Sequence, residues 1–132
     1  MSQADIETLR AGYEAINRRD WDAFFRLAQP DFEYKVPERD LLAGTYRGVE
    51  RARRAIEEQL EAFEDAVGVP EEFFEQGDRI VVFLGVRSRP RGSSVAMEIR
   101  VAHVWTMRDG KAARCELFPV REEALEAVGL RE

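Results

Sequence analysis

Between Arg79 and Phe118 the sequence reads almost without a break as strands, and this stretch limits the chain more than any other. Period-two runs over Arg79 to Arg89, Val95 to Met107 and Lys111 to Phe118 follow a shorter one over Glu72 to Glu75. Their joints, Gly77-Asp78, Pro90-Arg91-Gly92-Ser93 and Asp109-Gly110, carry turn chemistry. The last is a strong signal for a two-residue hairpin, because both central positions of such a turn take positive φ. An antiparallel meander is therefore expected, and its apolar face needs a covering layer. Ile80, Val82, Leu84 and Val86 fall on one face of the second run and Val81 and Phe83 on the other, so both faces need cover. A second copy of the chain over the face carrying Ile80, Val82, Leu84 and Val86 would supply it, so a homodimer through the outer sheet face is expected.

The first half supplies helices for the inner layer. Ile6, Leu9, Tyr13 and Ile16 recur at three- and four-residue spacing, with Ser2 placed to cap, which predicts a helix ending near Arg18. Asp20 is placed to cap a second helix carrying Trp21, Phe24, Phe25 and Leu27, stopped by Pro30. Phe32, Tyr34 and Val36 alternate with Asp31, Glu33 and Lys35, a half-buried strand that Pro37 ends. Glu38 to Gly48 has no period and reads as a loop. Val49, Ala52, Ile56, Leu60 and Phe63 mark a third helix, closed by Gly68 and Pro70, and Glu122 to Val128, ended by Gly129, a short last one. There is no linker, repeat or low-complexity tract, so residues 1–132 read as a single α+β domain.

Composition removes several classes of function. Twenty Lys and Arg against 26 Asp and Glu give a net charge of -6, which does not favour nucleic acid or anionic lipid as partner. No run approaches a membrane span, and the first residues carry acids without an apolar leader core, so a cytoplasmic protein is expected. One cysteine, Cys115, and one histidine, His103, provide neither a disulfide nor the usual zinc ligand sets. The G-x-S-x-G, G-x-G-x-x-G, P-loop and H-E-x-x-H motifs do not occur. Neither metal nor cofactor is expected.

Five segments together resemble a known family: the first helix, NRRDWDAFFRLAQPDFEYKVPE from Asn17 to Glu38, GTYRG from Gly44 to Gly48, AHVWTMRDGKAARCELF from Ala102 to Phe118, and REEALEAVGL from Arg121 to Leu130. Their order is similar to that of SnoaL-like members of the nuclear transport factor 2-like superfamily, whose relatives include ketosteroid isomerase and polyketide cyclases. The resemblance implies a cone-shaped, cystatin-like fold. On this resemblance three N-terminal helices are expected to pack on a curved, mainly antiparallel sheet that encloses a deep, largely apolar pocket and pairs through its outer face. One such frame hosts isomerases, cyclases, dehydratases, hydrolases and plain binders, so function has to be argued from the site.

The resemblance also directs attention to particular positions. Ketosteroid isomerase has its carbon base, an aspartate, at the end of the first strand before a proline; the matching residue is Val36, before Pro37, and valine accepts no proton. Isomerisation by that route is not expected, and Glu38, two residues on, is the nearest substitute. The family's neutral acid on the strand before the last hairpin matches His103, allowing one deletion in the Asp109-Gly110 turn. The tyrosine of its first helix falls within one residue of Tyr13, although strict counting gives Gly12.

His103 shares a strand face with Ile99, Val101, Trp105 and Met107, so alternation aims it at the pocket, where desolvation should hold its pKa below about 6.5. His103 with Tyr13 is the expected reactive or polar pair. Tyr34, Val36, Ile56, Phe83, Arg87, Val101, Trp105 and Cys115 are the expected ligand-lining set. Arg87 is included because alternation with Val81, Phe83 and Gly85 would bring it to the mouth; Cys115 reads as an inert buried thiol. Two functions stay open. One is a pocket protein binding a small carbonyl-bearing or polyketide-like compound; the other is a metal-independent acid-base enzyme using His103 with a pocket tyrosine.

Overall fold

A computed structural model describes residues 3–38 and 43–130. Helices α1 (Gln3–Asn17) and α2 (Trp21–Arg26) lead into strand β1 (Ala28–Val36) and then β2 (Gly44–Arg47). Helix α3 (Val49–Glu61) precedes four strands, β3 (Phe63–Gln76), β4 (Arg79–Pro90), β5 (Met97–Arg108) and β6 (Lys111–Phe118), and α4 (Arg121–Ala127) follows them. The strands form one curved sheet in the order β2-β1-β6-β5-β4-β3, antiparallel throughout except for the parallel pair β1/β6. This is the α+β architecture expected, with three helices on the inner face of the meander.

Local chemistry accounts for most boundaries. The Asp20 carboxylate accepts from the Ala23 backbone N–H and caps α2 as expected. Asp109 and Gly110 take φ of 54° and 77°, and make the β5/β6 hairpin. The proposed Ser2 cap lies outside the described residues.

Four expectations need correction. α2 ends at Arg26, before Pro30, and Pro30 sits inside β1, where the pairing with β6 shifts register. The segment expected to be a loop contains the edge strand β2, paired with β1 from Val36↔Gly44 to Glu33↔Arg47. α3 does not run to Gly68 and Pro70; it stops at Glu61, and both residues belong to β3. They fit there because β3 is the other edge of the sheet, where a proline's missing N–H costs no ladder bond, and the pairing is interrupted at Glu64/Val67 and Pro70/Glu72.

The fourth correction concerns the faces of β4. Ile80, Val82 and Leu84 are buried on the inner side with α1, α2 and α3, and Val86 packs against them. Val81 and Phe83 lie on the outer side with Ala102 and Val104, under Ala124, Leu125 and Val128 of α4 and its continuation. The patch that was to demand a second copy is thus the protein's own core, and its own last helix covers the outer face there. Arg121 fastens that helix: its guanidinium donates to the Leu84 and Val101 carbonyls and to Glu71, and lies 4.7 Å over the Phe83 ring.

Candidate functional site

Helices α1 and α3 do not fill the inner face of the sheet, and the space between them and the strands is a cavity of about 700 Å³. Strand alternation decides which residues reach it. β5 sends in Ile99, Val101, His103 and Trp105, β4 Leu84 and Val86, β6 Cys115 and Leu117, and β1 Phe32 and Tyr34. From the helices come Tyr13, Ile16 and Asn17 of α1, Phe24 of α2, and Ile56, Gln59 and Leu60 of α3.

Of the residues expected at a ligand, Tyr13, Tyr34, Ile56, Val101, His103, Trp105 and Cys115 line this space. Three others do not. Val36 is buried in the core without bordering the cavity. Phe83 is on the outer face beneath α4. Arg87 shares that outer parity and is exposed, opposite Val67 and Glu98, so it does not reach the mouth. Both errors come from the reversed assignment of the β4 faces. Glu38 is exposed and is not among the lining residues.

The polar centre of the cavity is a three-residue chain. Trp105 Nε1 lies 2.8 Å from the Tyr13 hydroxyl, which lies 2.7 Å from His103 Nδ1. Donor and acceptor capacity fixes the protons: an indole N–H only donates, so the Tyr13 oxygen accepts from Trp105. Its own proton needs an acceptor, and His103 Nδ1 is the one acceptor within reach among the described residues, so we assign the ring proton to Nε2. The Tyr13 and His103 rings are nearly parallel, with planes 8° apart and centroids 5.8 Å apart. Trp105 stands edge-on to both, at 87° and 85°.

Burial holds this chain neutral. Desolvation lowers the His103 pKa to about 4, because the imidazolium would have little water around it. It raises Tyr13 well above the ordinary phenol value; electrostatic interaction with the Cys115 thiol and the Tyr34 phenol adds to that rise, while the Trp105 hydrogen bond opposes it. Glu98 and Glu116, the carboxylates that would have reversed the shift, are on the outer parity; Glu116 is paired there with Lys35 at 3.5 Å. The result is a neutral imidazole with Nε2–H as its remaining donor, on a strand face that borders the cavity. Gly12, the alternative to Tyr13 by strict counting, packs under Phe24, where an added Cβ would lie 3.4 Å from that ring.

Cys115 is a buried free thiol whose pKa burial raises well above normal, so at neutral pH it stays a protonated apolar wall. Among the described residues no group of His, Cys, Asp and Glu is arranged to hold a metal ion.

Two uncharged polar lining residues, Asn17 and Gln59, escaped the sequence reading, as did the charged Arg19 and Glu58. The Asn17 side chain exchanges two hydrogen bonds with the Gly68 backbone, donating to its carbonyl at 2.9 Å and accepting from its N–H at 3.0 Å, and so ties α1 to β3. Gln59 accepts from the Tyr34 hydroxyl at 2.6 Å. Both continue apolar helical stripes, Asn17 four residues after Tyr13 and Gln59 three after Ile56, and an uncharged polar residue on a buried stripe was the signal available.

Comparison with known proteins agrees with this fold. No curated protein matches the sequence. Among solved structures, TerC co-crystallised with polyporic acid is similar at 29% identity, with a TM-score of 0.80 over 96% of this chain and 98% of the other. A nuclear transport factor 2-like protein of unknown function from Burkholderia pseudomallei is similar at 26% identity, with a TM-score of 0.80 over 98% and 99%. A Mycobacterium tuberculosis protein in complex with estradiol-17β-hemisuccinate shares the fold at 14% identity, with a TM-score of 0.73 over 88% and 93%. The model of the SnoaL-like domain matches residues 9–115, which include every strand but the last few residues of β6, and the chain belongs to that family.

Proposed function

We propose that this protein binds a small, largely apolar, carbonyl-bearing molecule in the cavity between α1, α3 and the sheet, with the carbonyl oxygen taking the hydrogen bond from His103 Nε2. The observation that carries this reading is the Trp105 to Tyr13 to His103 chain. It uses both its inner acceptors internally and leaves the neutral His103 Nε2–H free to donate on a largely apolar stretch of wall formed by Val101, Cys115 and Leu117. A few placed polar groups in an apolar cavity of this size are what a small-molecule site requires. The similar protein co-crystallised with polyporic acid supports a small-molecule ligand on this fold.

Binding is favoured over acid-base catalysis by what the cavity offers. A donor at a carbonyl oxygen supplies half of an enolisation, and the other half needs a base near neutral pH. His103, with a pKa near 4 and Nδ1 engaged, is a poor one. The carboxylate among the described lining residues is Glu58, which is exposed.

Titration of the protein with polyporic acid, followed by tryptophan fluorescence, tests the reading. Saturable binding to the wild type, weakened roughly 5- to 30-fold in His103→Phe, corresponds to loss of one hydrogen bond in a dry site. No saturable binding, or equal affinity in the two proteins, refutes it.

The same reading includes a homodimer through the outer sheet face and a cytoplasmic location. With Ile80, Val82 and Leu84 internal, the dimer rests on a smaller feature: Val67 and Val69 on β3, 41% and 54% exposed beside Gly85 and Arg87. Sedimentation equilibrium at micromolar concentration decides it, and a monomer throughout removes it. The cytoplasmic location rests on the single free thiol, and cell fractionation checks it.

A further inference from the structure

Across the sheet from His103, a second polar point borders the cavity. Gln59 reaches it from α3, and the Tyr34 hydroxyl of β1 donates to Gln59 Oε1 at 2.6 Å. That bond orients the amide: its oxygen is held toward the phenol, and its NH2 group is turned away from it. Among the described residues Gln59 Nε2 has no hydrogen-bond partner, and the half-buried Gln59 side chain borders the cavity. Two N–H donors are thus available at a second, pre-oriented place.

The register of the sheet sets the separation. Tyr34 pairs with Cys115, and Cys115 with Trp105, so Tyr34 and Trp105 stand in one row two strands apart, with His103 two residues along β5. At about 4.8 Å per strand and about 3.3 Å per residue, the backbones of Tyr34, which holds the Gln59 amide, and of His103 are about 12 Å apart. Between them the wall is Cys115, Leu117 and Val101, which offer no strong hydrogen bond. An apolar compound with one carbonyl would use one of these points and leave the other without a partner.

Resting on the binding role proposed above, we infer that the cavity selects a flat ring compound carrying two acceptor oxygens at opposite ends. Such a dione or quinone takes one hydrogen bond from His103 Nε2 and the second from the Gln59 amide. Gln59 is then a specificity-determining residue, and Tyr34 positions it. The preference follows from cost: a site that presents an oriented donor discriminates against a molecule that leaves the donor unpaired.

The test uses a matched pair of probes, anthraquinone with two opposed carbonyls and anthrone with one, titrated under nitrogen and read by tryptophan quenching. The wild type should bind anthraquinone about tenfold more tightly than anthrone. In Gln59→Leu that ratio should fall to near one through weaker anthraquinone binding alone, and in Tyr34→Phe, where the amide is free to turn, it should fall part of the way. If Gln59→Leu does not fold, as judged by its thermal transition, Gln59→Glu replaces it and should disfavour anthraquinone more strongly, because an acceptor then faces the second carbonyl. Equal affinity for both probes in the wild type, or a ratio that persists in the Gln59 variants, overturns the second anchor and leaves the cavity as a binding site. Failure of both probes to bind overturns both.

Discussion

Replacing Tyr13 by Phe removes one oxygen and disconnects two groups at once. The Tyr13 ring is 5% exposed and Trp105 3%, so the Trp105 Nε1–H would be left inside protein without its acceptor. A buried donor in that position costs about 1–3 kcal/mol. His103 Nδ1 also loses its partner, but the ring borders the cavity, and a tautomer change or an entering water limits the loss to about 0.5–1 kcal/mol. The sum is about 1.5–4 kcal/mol. In a chain of this size that lowers Tm by roughly 5–15 °C. Urea unfolding followed by circular dichroism should show a lower midpoint with an unchanged slope. Trp105→Phe removes the orphaned donor in advance, so the double variant should be more stable than the sum of the two single losses implies, by about 1 kcal/mol or more. A Tyr13→Phe loss below about 0.5 kcal/mol, or strict additivity in the cycle, would show that the chain from Trp105 to His103 is not a working hydrogen-bond unit.

The His103 pKa of about 4, against 6.5 for an ordinary imidazole, makes stability depend on pH in one direction. Between those values the unfolded chain binds more protons than the folded one, so the contribution of the neutral ring is complete above about pH 6.5 and is lost as pH falls toward 4, up to about 3 kcal/mol. Denaturation of the wild type and of His103→Gln at pH 7.5, 6, 5 and 4 separates this from the carboxylates, and a difference between the two that stays constant with pH would contradict it. On the other face of the sheet, Phe83→Ala should lower stability by about 3–5 kcal/mol by emptying the core beneath α4 and removing the ring under Arg121, while leaving affinity at the cavity unchanged. A large change in affinity in a folded Phe83→Ala protein would mean that the two faces are not separated as described.

The elements that were legible in the sequence are those whose signal is local. Asp20 caps α2 by its own carboxylate, and Asp109-Gly110 turns the last hairpin by its own φ values. The inward aim of His103 was also readable, because the opposite parity of β5 holds Glu98, Arg100 and Thr106, which mark the other side as less apolar. β4 offers no such contrast, since Ile80 through Leu84 is apolar at every position. Its inner face is decided by what covers each side. That cover is α4, seven residues long, with Ala124 and Leu125 buried, too short for its period to show which sheet face it would take. Gly68 and Pro70 punctuate a helix and an edge strand equally well, and only the sheet order, with β3 at its margin, tells them apart.

Tyr13 meets its two partners across 90 and 92 residues of sequence, and β1, which lies between β2 and β6, finds one of its neighbours only in the last strand made. During synthesis at roughly 5–20 residues per second, α1 is therefore complete for roughly 5–20 s before His103 and Trp105 exist to receive it. Through that interval the apolar sides of α1, α2 and β1 have no sheet to bury against, and one margin of β1 stands open to any other extended chain. Loop-closure entropy then has to be overcome before the β1/β6 pairing returns any stabilisation, which places this chain among the slower folders of its size. The arrangement that makes the site a product of both halves of the chain also delays its assembly until β5 and β6 have been made.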